Sequence, residues 1–162
     1  MKVELSQTEY MLATQIGMMR HQMNRAAGVK ISSYAPPEQH MKIEIIGVMG
    51  ELAFCKWANL YPNLEVVNQK DTTDLIYQNW KCDIKATDLK TGQLLVPRWK
   101  KKDSSDVYIL GITEGLSVDF VGFTTSDEII QEARLKDLGY GPTYCMTQQE
   151  LTKFKEDAVQ VS

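Results

Sequence analysis

The chain has 162 residues, a length suited to one domain rather than two independently packed ones. At 43% hydrophobic and 24% charged residues it lies near the globular average, which excludes a disordered chain, a collagen-like chain and a small disulfide scaffold. A net charge of -3 and a pI of about 5.4 give no support to non-specific coating of nucleic acid, so any such contact needs a local basic patch.

No apolar run reaches the ~18 residues of a membrane span. The opening Met1-Lys2-Val3-Glu4-Leu5-Ser6 lacks the apolar stretch of a secretory signal. Cys55, Cys82 and Cys145 are odd in number, far apart and without CxxC spacing. They read as core thiols rather than a disulfide framework or zinc site, and a reducing, cytoplasmic setting is the default expectation.

In chain order, Ser6-Gln7-Thr8-Glu9 has the capping-box pattern and predicts a helix from about Gln7 to Ala27, stopped by Gly28. Met11, Met18, Met19 and Met23 on it read as packing residues, and Arg20, His21 and Arg25 as a solvated face that could add a phosphate contact. Residues 31–37 form a linker, where Pro36 and Pro37 exclude a continuous helix. A second helix is expected from about Glu38 to Asn59, with Met41, Ile45, Val48, Leu52 and Cys55 on one stripe and Ile46, Met49, Ala53 and Trp57 widening it. Apolar over most of its circumference, it should be largely buried.

Beyond Leu64 the pattern becomes short strands. Leu75-Ile76-Tyr77, a Gln78-Asn79 turn and the run from Trp80 to Ala86 read as a hairpin. Residues 94–97 suggest an edge strand because of Pro97, residues 107–112 a central strand, and residues 118–123 another. Thr125-Ser126-Asp127-Glu128 predicts a helix to about Leu138. A strand over residues 143–146 and a final helix opened by Thr147-Gln148-Gln149-Glu150 complete the chain. The whole reads as a single α/β or α+β unit over residues 1–162 with a central mixed sheet. Residues 1–36 would be N-terminal helix and linker, residues 37–146 the core, and residues 147–162 a C-terminal helix.

The most informative stretch runs from Asp74 to Thr87. Alternation along the second hairpin strand puts Lys81, Asp83 and Lys85 on one face and Cys82, Ile84 and Ala86 on the other, core side. Asp83 and Lys85 then stand about 7 Å apart along the strand, and the hairpin carries Asp74 towards Asp83. Converging carboxylates repel and need a compensating charge, for which oxygen ligands suit Mg²⁺ or Mn²⁺. Lys85 could orient or deprotonate a water, or stabilise a phosphate. Glu44 and Glu51 share a helix face but lie roughly 10 Å apart along the axis, so one metal would not take both. Glu51, among small and apolar neighbours, is the preferred ligand, with Glu44 as an outer partner. His40 reads as the i, i+4 partner of Glu44.

Glu51 on a helix, Asp74 opening a strand, and Asp83-Ile84-Lys85 as a D-x-K element on the next together resemble the PD-(D/E)XK nuclease superfamily. The resemblance covers roughly residues 40–145 and looks closest to small phage-type members. It implies a restriction-endonuclease-like fold, a central mixed β-sheet flanked by helices with an N-terminal helical pair. It also implies Mg²⁺-dependent (or Mn²⁺-dependent) hydrolysis of DNA. Asp74, Asp83 and the Ile84 carbonyl would bind metal, Glu51 would complete the shell, and Lys85 would position the attacking water. Thr73 stands where the family pattern has proline, and Asp71 competes for the role of Asp74. Small nucleases often pair subunits to cut both strands, so a homodimer fits this picture, although no residues identify a dimer face.

From Lys81 to Lys102 seven basic residues face two acidic ones, a local net of +5. Lys81, Arg98, Trp99, Lys100, Lys101 and Lys102 suit phosphates and a stacked base. Each signal also has a plainer reading: a chance D-x-K, an Asp in a turn, a solvated basic loop. The rival functions are a binding module on the same fold that hydrolyses nothing, and a purely structural protein in which the four site residues are dispersed.

Overall fold

The computed structural model describes residues 1–29, 36–66, 73–139 and 141–154. A short strand, β1 (Lys2–Glu4), precedes helix α1 (Gln7–Ala26), and Pro37–Gln39 make one 3-10 turn leading into α2 (His40–Ala58). The hairpin β2 (Leu75–Tyr77) and β3 (Trp80–Thr87) is followed by β4 (Leu94–Pro97), β5 (Val107–Glu114) and β6 (Ser117–Thr125). A single helical turn, α3 (Ser126–Ile129), then leads to β7 (Leu135–Asp137) and β8 (Pro142–Met146).

The strands form two sheets, one ordered β1-β6-β5-β3-β2 and one ordered β4-β8-β7. The larger sheet is mixed: β3 runs parallel to β5, and its other pairs are antiparallel. Its alternating side chains feed two cores. Cys82, Ile84, Ile109 and Phe120 pack against Ala13 and Ile16 of α1 and Val48, Leu52 and Phe54 of α2. On the opposite face Tyr108, Leu110 and Ile112 pack against Leu94, Val96, Tyr144 and Met146 of the smaller sheet. The order of layers is therefore helices, large sheet, small sheet.

Local chemistry explains most of these elements. Ser6 and Glu9 form the expected capping box on α1. Gln78 and Asn79, at φ 48° and 68°, make the tight two-residue hairpin turn between β2 and β3. Gly50 lets α2 lie directly on β3. A Cβ there would stand 2.9 Å from the Ala86 Cβ and 3.2 Å from an Ile84 methyl.

The C-terminal third departs from expectation. The helix predicted from Thr125 to Leu138 stops after one turn, although its capping box forms, with Thr124 and the Thr125 N–H both donating to Glu128. Ile129 is drawn into the second core, and Leu135 to Asp137 gain a strand partner in β8, which overrides helix propensity. The final helix is likewise absent where it was expected to open. Thr147 and Glu150 bond as a capping box would, but only a turn follows, and Thr152 pairs with Phe123 in an extended bridge. Residues 155–162 lie outside the described residues. The packing role expected of the α1 methionines also fails for most of them, since Met11, Met19 and Met23 are exposed.

Candidate active site

The site forms where β2 ends and β3 continues. The hairpin register pairs Leu75 with Cys82, so the next residues back and forward, Asp74 and Asp83, are opposite neighbours. Asp74 marks the bend at which β2 begins. Its N–H donates to the Cys82 carbonyl at 3.2 Å, and its Oδ2 accepts the Ile84 N–H at 2.6 Å. Thr73, at the position of the expected proline, donates its hydroxyl to the same Cys82 carbonyl at 2.9 Å and fastens the start of the hairpin. Because a strand residue's N–H and C=O point to the same side, the Ile84 carbonyl also leaves β3 on the Asp74 side.

Asp83 lies on the small-sheet face and is 1% exposed. Lys85 Nζ stands 2.5 Å from its Oδ1, and Lys100 Nζ stands 3.2 Å from its Oδ2. Oδ1 makes no hydrogen bond of good geometry among the described residues, so the short approach of Lys85 is an ion pair alone. Burial would raise the Asp83 pKa, but the two ammoniums outweigh it and hold the group below the ordinary carboxylate value. Burial opposes the charge on Lys85 too, yet Asp83 and Asp74 raise its pKa and keep it protonated. Asp74 has no ion-pair partner among the described residues, though Lys85 acts on it from a distance. Burial first, then Asp83 and Glu51, push its carboxyl up to about 7.

Glu51 reaches this edge from α2. Arg20 of α1 grips it with two parallel bonds, Nη1 to Oε1 at 2.7 Å and Nη2 to Oε2 at 2.9 Å. Burial works against the Arg20 charge, but Glu51, Asp74 and Glu44 raise its pKa. Glu44 itself accepts a bond from Asn24 at 3.0 Å. On the other side of Asp83, Tyr108 and Ser105 are fully buried, and among the described residues neither hydroxyl has a hydrogen-bond partner of good geometry. Burial, followed by the field of Asp83, pushes the Tyr108 phenol up to about 12.

Asp74, Asp83 and Lys85 therefore act on one another around the Ile84 backbone, and Glu51 joins them through its effect on Asp74. Among the described residues, no three carboxylate, imidazole or thiol groups are spaced to hold a metal ion as they stand. Asp71 lies outside the described residues. The basic run divides: Arg98, Trp99, Lys101 and Lys102 are exposed, as is Lys81. Lys100, expected among the exposed phosphate contacts, is instead buried against Asp83, because the loop after β4 turns it inward. Arg20, expected on a solvated face, is a site residue. Its only mark in the sequence is a place on an amphipathic helix, which gives no hint of the α1–α2 packing that delivers it to Glu51.

A metal bound here would have all-oxygen ligands, a donor set for a hard divalent cation; the Oδ1 of Asp83, which is ion-paired but accepts no hydrogen bond among the described residues, and the crowded carboxyl of Asp74 fit that chemistry. Among the described residues, no helix is long and apolar enough to cross a membrane. No curated protein and no solved structure matches the chain. Residues 2–115, which include Arg20, Glu51, Asp74, Asp83, Lys85 and Lys100, match the Family of unknown function (DUF5843), and the chain belongs to that family.

Proposed function

We propose that the protein is a metal-dependent DNA nuclease of the PD-(D/E)XK type, with its active site at the open edge of β3. The observation that carries this reading is the juxtaposition of Asp74 and Asp83 across the end of β2, with Lys85 on Asp83 and Glu51 arriving from α2. Asp74, Asp83, the Ile84 carbonyl and Glu51 would hold Mg²⁺ or Mn²⁺. The bound ion would neutralise the carboxylates and phosphate and lower the pKa of a water.

The chain's own residues have distinct tasks. Lys85 is charged as it stands, so it acts as a hydrogen-bond donor to the attacking water or to a phosphate oxygen rather than as the base. The water oxygen forms a bond to phosphorus as the opposite P–O bond breaks, and the departing oxygen takes up a proton. Arg20 orients Glu51. Arg98, Trp99, Lys101 and Lys102 lie on the exposed loop that follows β4 and suit a DNA backbone with a stacked base.

Cleavage of linear, circular, branched and single-stranded DNA, with Mg²⁺ and with EDTA, tests the proposal. Wild-type protein should cut at least one substrate only in the presence of metal, and Lys85→Ala should lower the rate by ~10² or more. Equal rates for both proteins remove Lys85 from the mechanism. A second reading, a DNA-binding module that hydrolyses nothing, is favoured by the ion pairs that already occupy Glu51 and Asp83. It predicts DNA binding that is indifferent to EDTA and no cleavage of any substrate.

A further inference from the structure

Asp83 is the least exposed carboxylate among the described residues, and it has two ammoniums on it. Two like charges on one carboxylate repel, and burying the second is costly unless it serves the site as a whole. The surroundings supply the reason. Glu51 is paired with Arg20 and Asp83 with Lys85, and Asp74 adds a further carboxyl close by, on which Lys85 acts but to which no ammonium is ion-paired among the described residues. Lys100 brings a second ammonium to this group of carboxyls, on Asp83.

Lys100 is also the more weakly held of the two lysines. Lys85 sits on β3, two residues from Asp83, at 2.5 Å. Lys100 arrives from a loop, at 3.2 Å, on a stem of four rotatable bonds. Its ammonium lies 5.4 Å from the ring of Trp99, which is 58% exposed and flanked by the exposed Arg98 and Lys101. The path out of the site thus leads along an aromatic face into the basic run.

We propose that Lys100 is the built-in counter-ion of the cation site at Asp83, so that a divalent cation and the Lys100 ammonium compete for the same carboxylate. The inference rests on the metal site of the nuclease reading and adds the residue that sets its affinity. A bound cation releases Lys100, which then joins Arg98 and Lys101 on the DNA-facing loop. This explains why a buried lysine stands in the middle of an exposed basic segment.

Calorimetric titration with Mg²⁺, without DNA, tests the competition. Lys100→Met removes the charge and keeps the stem, and should tighten Mg²⁺ binding about tenfold or more. Lys100→Arg should bind no more tightly than wild type, and Asp83→Asn should abolish the response. A merely structural Lys100 predicts the opposite sign, because loosening the site would weaken binding. Wild-type binding that Asp83→Asn abolishes but Lys100→Met leaves equal or weaker overturns this inference and spares the nuclease reading. Failure of both wild type and Lys100→Met to bind Mg²⁺ overturns the two together. Should Lys100→Met not fold, the emission of Trp99 in the native chain serves instead. Mg²⁺ should change it in wild type by an amount missing from Trp99→Phe, and saturation without any such change refutes the release of Lys100.

Discussion

From Trp80 to Cys82, β3 pairs with β2, and Cys82 alone pairs with β5 as well; from Asp83 to Thr87 its strand partner among the described residues is β5. The first half is a hairpin strand, exposed at Trp80 and Lys81 and backed by an aromatic cluster. Tyr77, paired with Trp80, packs its ring at 5.8 Å from Phe54, which also meets Trp57 and Phe120. The second half carries the buried Asp83, with charges where the first half has rings. The difference shows how little is needed to turn a strand into a site. The three-residue length of β2 leaves backbone groups uncovered beyond it, and Asp74 caps one of them while helping to create the carboxylate pair.

The sharpest way to test the contrast is to delete one anchor from each half. Asp83→Ala should cost about 3–5 kcal/mol, because it leaves Lys85 and Lys100 facing each other without their shared carboxylate. Phe54→Ala should cost a similar ~3–5 kcal/mol through a cavity alone. Chemical denaturation separates the two causes. Added salt should relieve the Asp83→Ala penalty in part and leave that of Phe54→Ala unchanged. A salt-insensitive loss at both positions would erase the distinction.

The helix that carries Phe54 also rests on the second half, where Gly50 lies on Ile84 and Ala86. Gly50→Ala should push the helix off β3 and cost about 1–3 kcal/mol, despite the better helix propensity of alanine. Because Glu51 is the next residue, DNA cleavage should fall by more than the loss of stability explains. A variant as stable as wild type would mean that the helix and strand have room to spare.

Asp74 gives the contrast a pH signature. Its folded pKa, about 7, lies above the ordinary value of 3.8, so the folded protein holds this proton more tightly than the unfolded chain does. The resulting stability is full below about pH 4 and is lost as pH rises through 7. Asp74→Asn can still accept the Ile84 N–H, and should flatten that part of the stability profile, becoming the more stable protein at pH 8. Denaturation midpoints from pH 4 to pH 8 measure it, and parallel profiles would show that Asp74 is not strained by its neighbours.

Much of this site could be read from residue order because its parts are local. Alternation along β3 put Asp83 and Lys85 on one face, and the Gln78-Asn79 turn set the register that brings Asp74 to Asp83. The two long helices were legible for the same reason, since caps and periodic apolar residues act within a few turns. Arg20 and Lys100 were misjudged because their partners lie 31 and 17 positions away, and the pairing depends on how α1 lies on α2 and how the loop after β4 folds back. The short β1 and β7 are not legible on similar grounds, whereas β4 and β8 are. Val3 and Leu135 become strand residues through distant partners in β6 and β8, and the capping boxes at Thr125 and Thr147 give local signals that tertiary pairing cuts short.

The smallest expected effect concerns the exposed part of the basic loop, which by the same reasoning should contribute charge and little structure. Lys101 lies on the surface beside Trp99, and Lys102 already shares its charge with Asp127 at 2.9 Å, an exposed pair worth less than about 1 kcal/mol. Lys101→Ala should leave the denaturation midpoint unchanged. If DNA tracks this loop, the variant should weaken binding to every sequence alike and reduce the salt-dependence slope by about 1. Lys102→Ala should do less, since Asp127 competes with phosphate for that ammonium. Equal slopes for Lys101→Ala and wild type would move the DNA path off this loop, and would leave buried Lys100 as a residue of the carboxylate site alone.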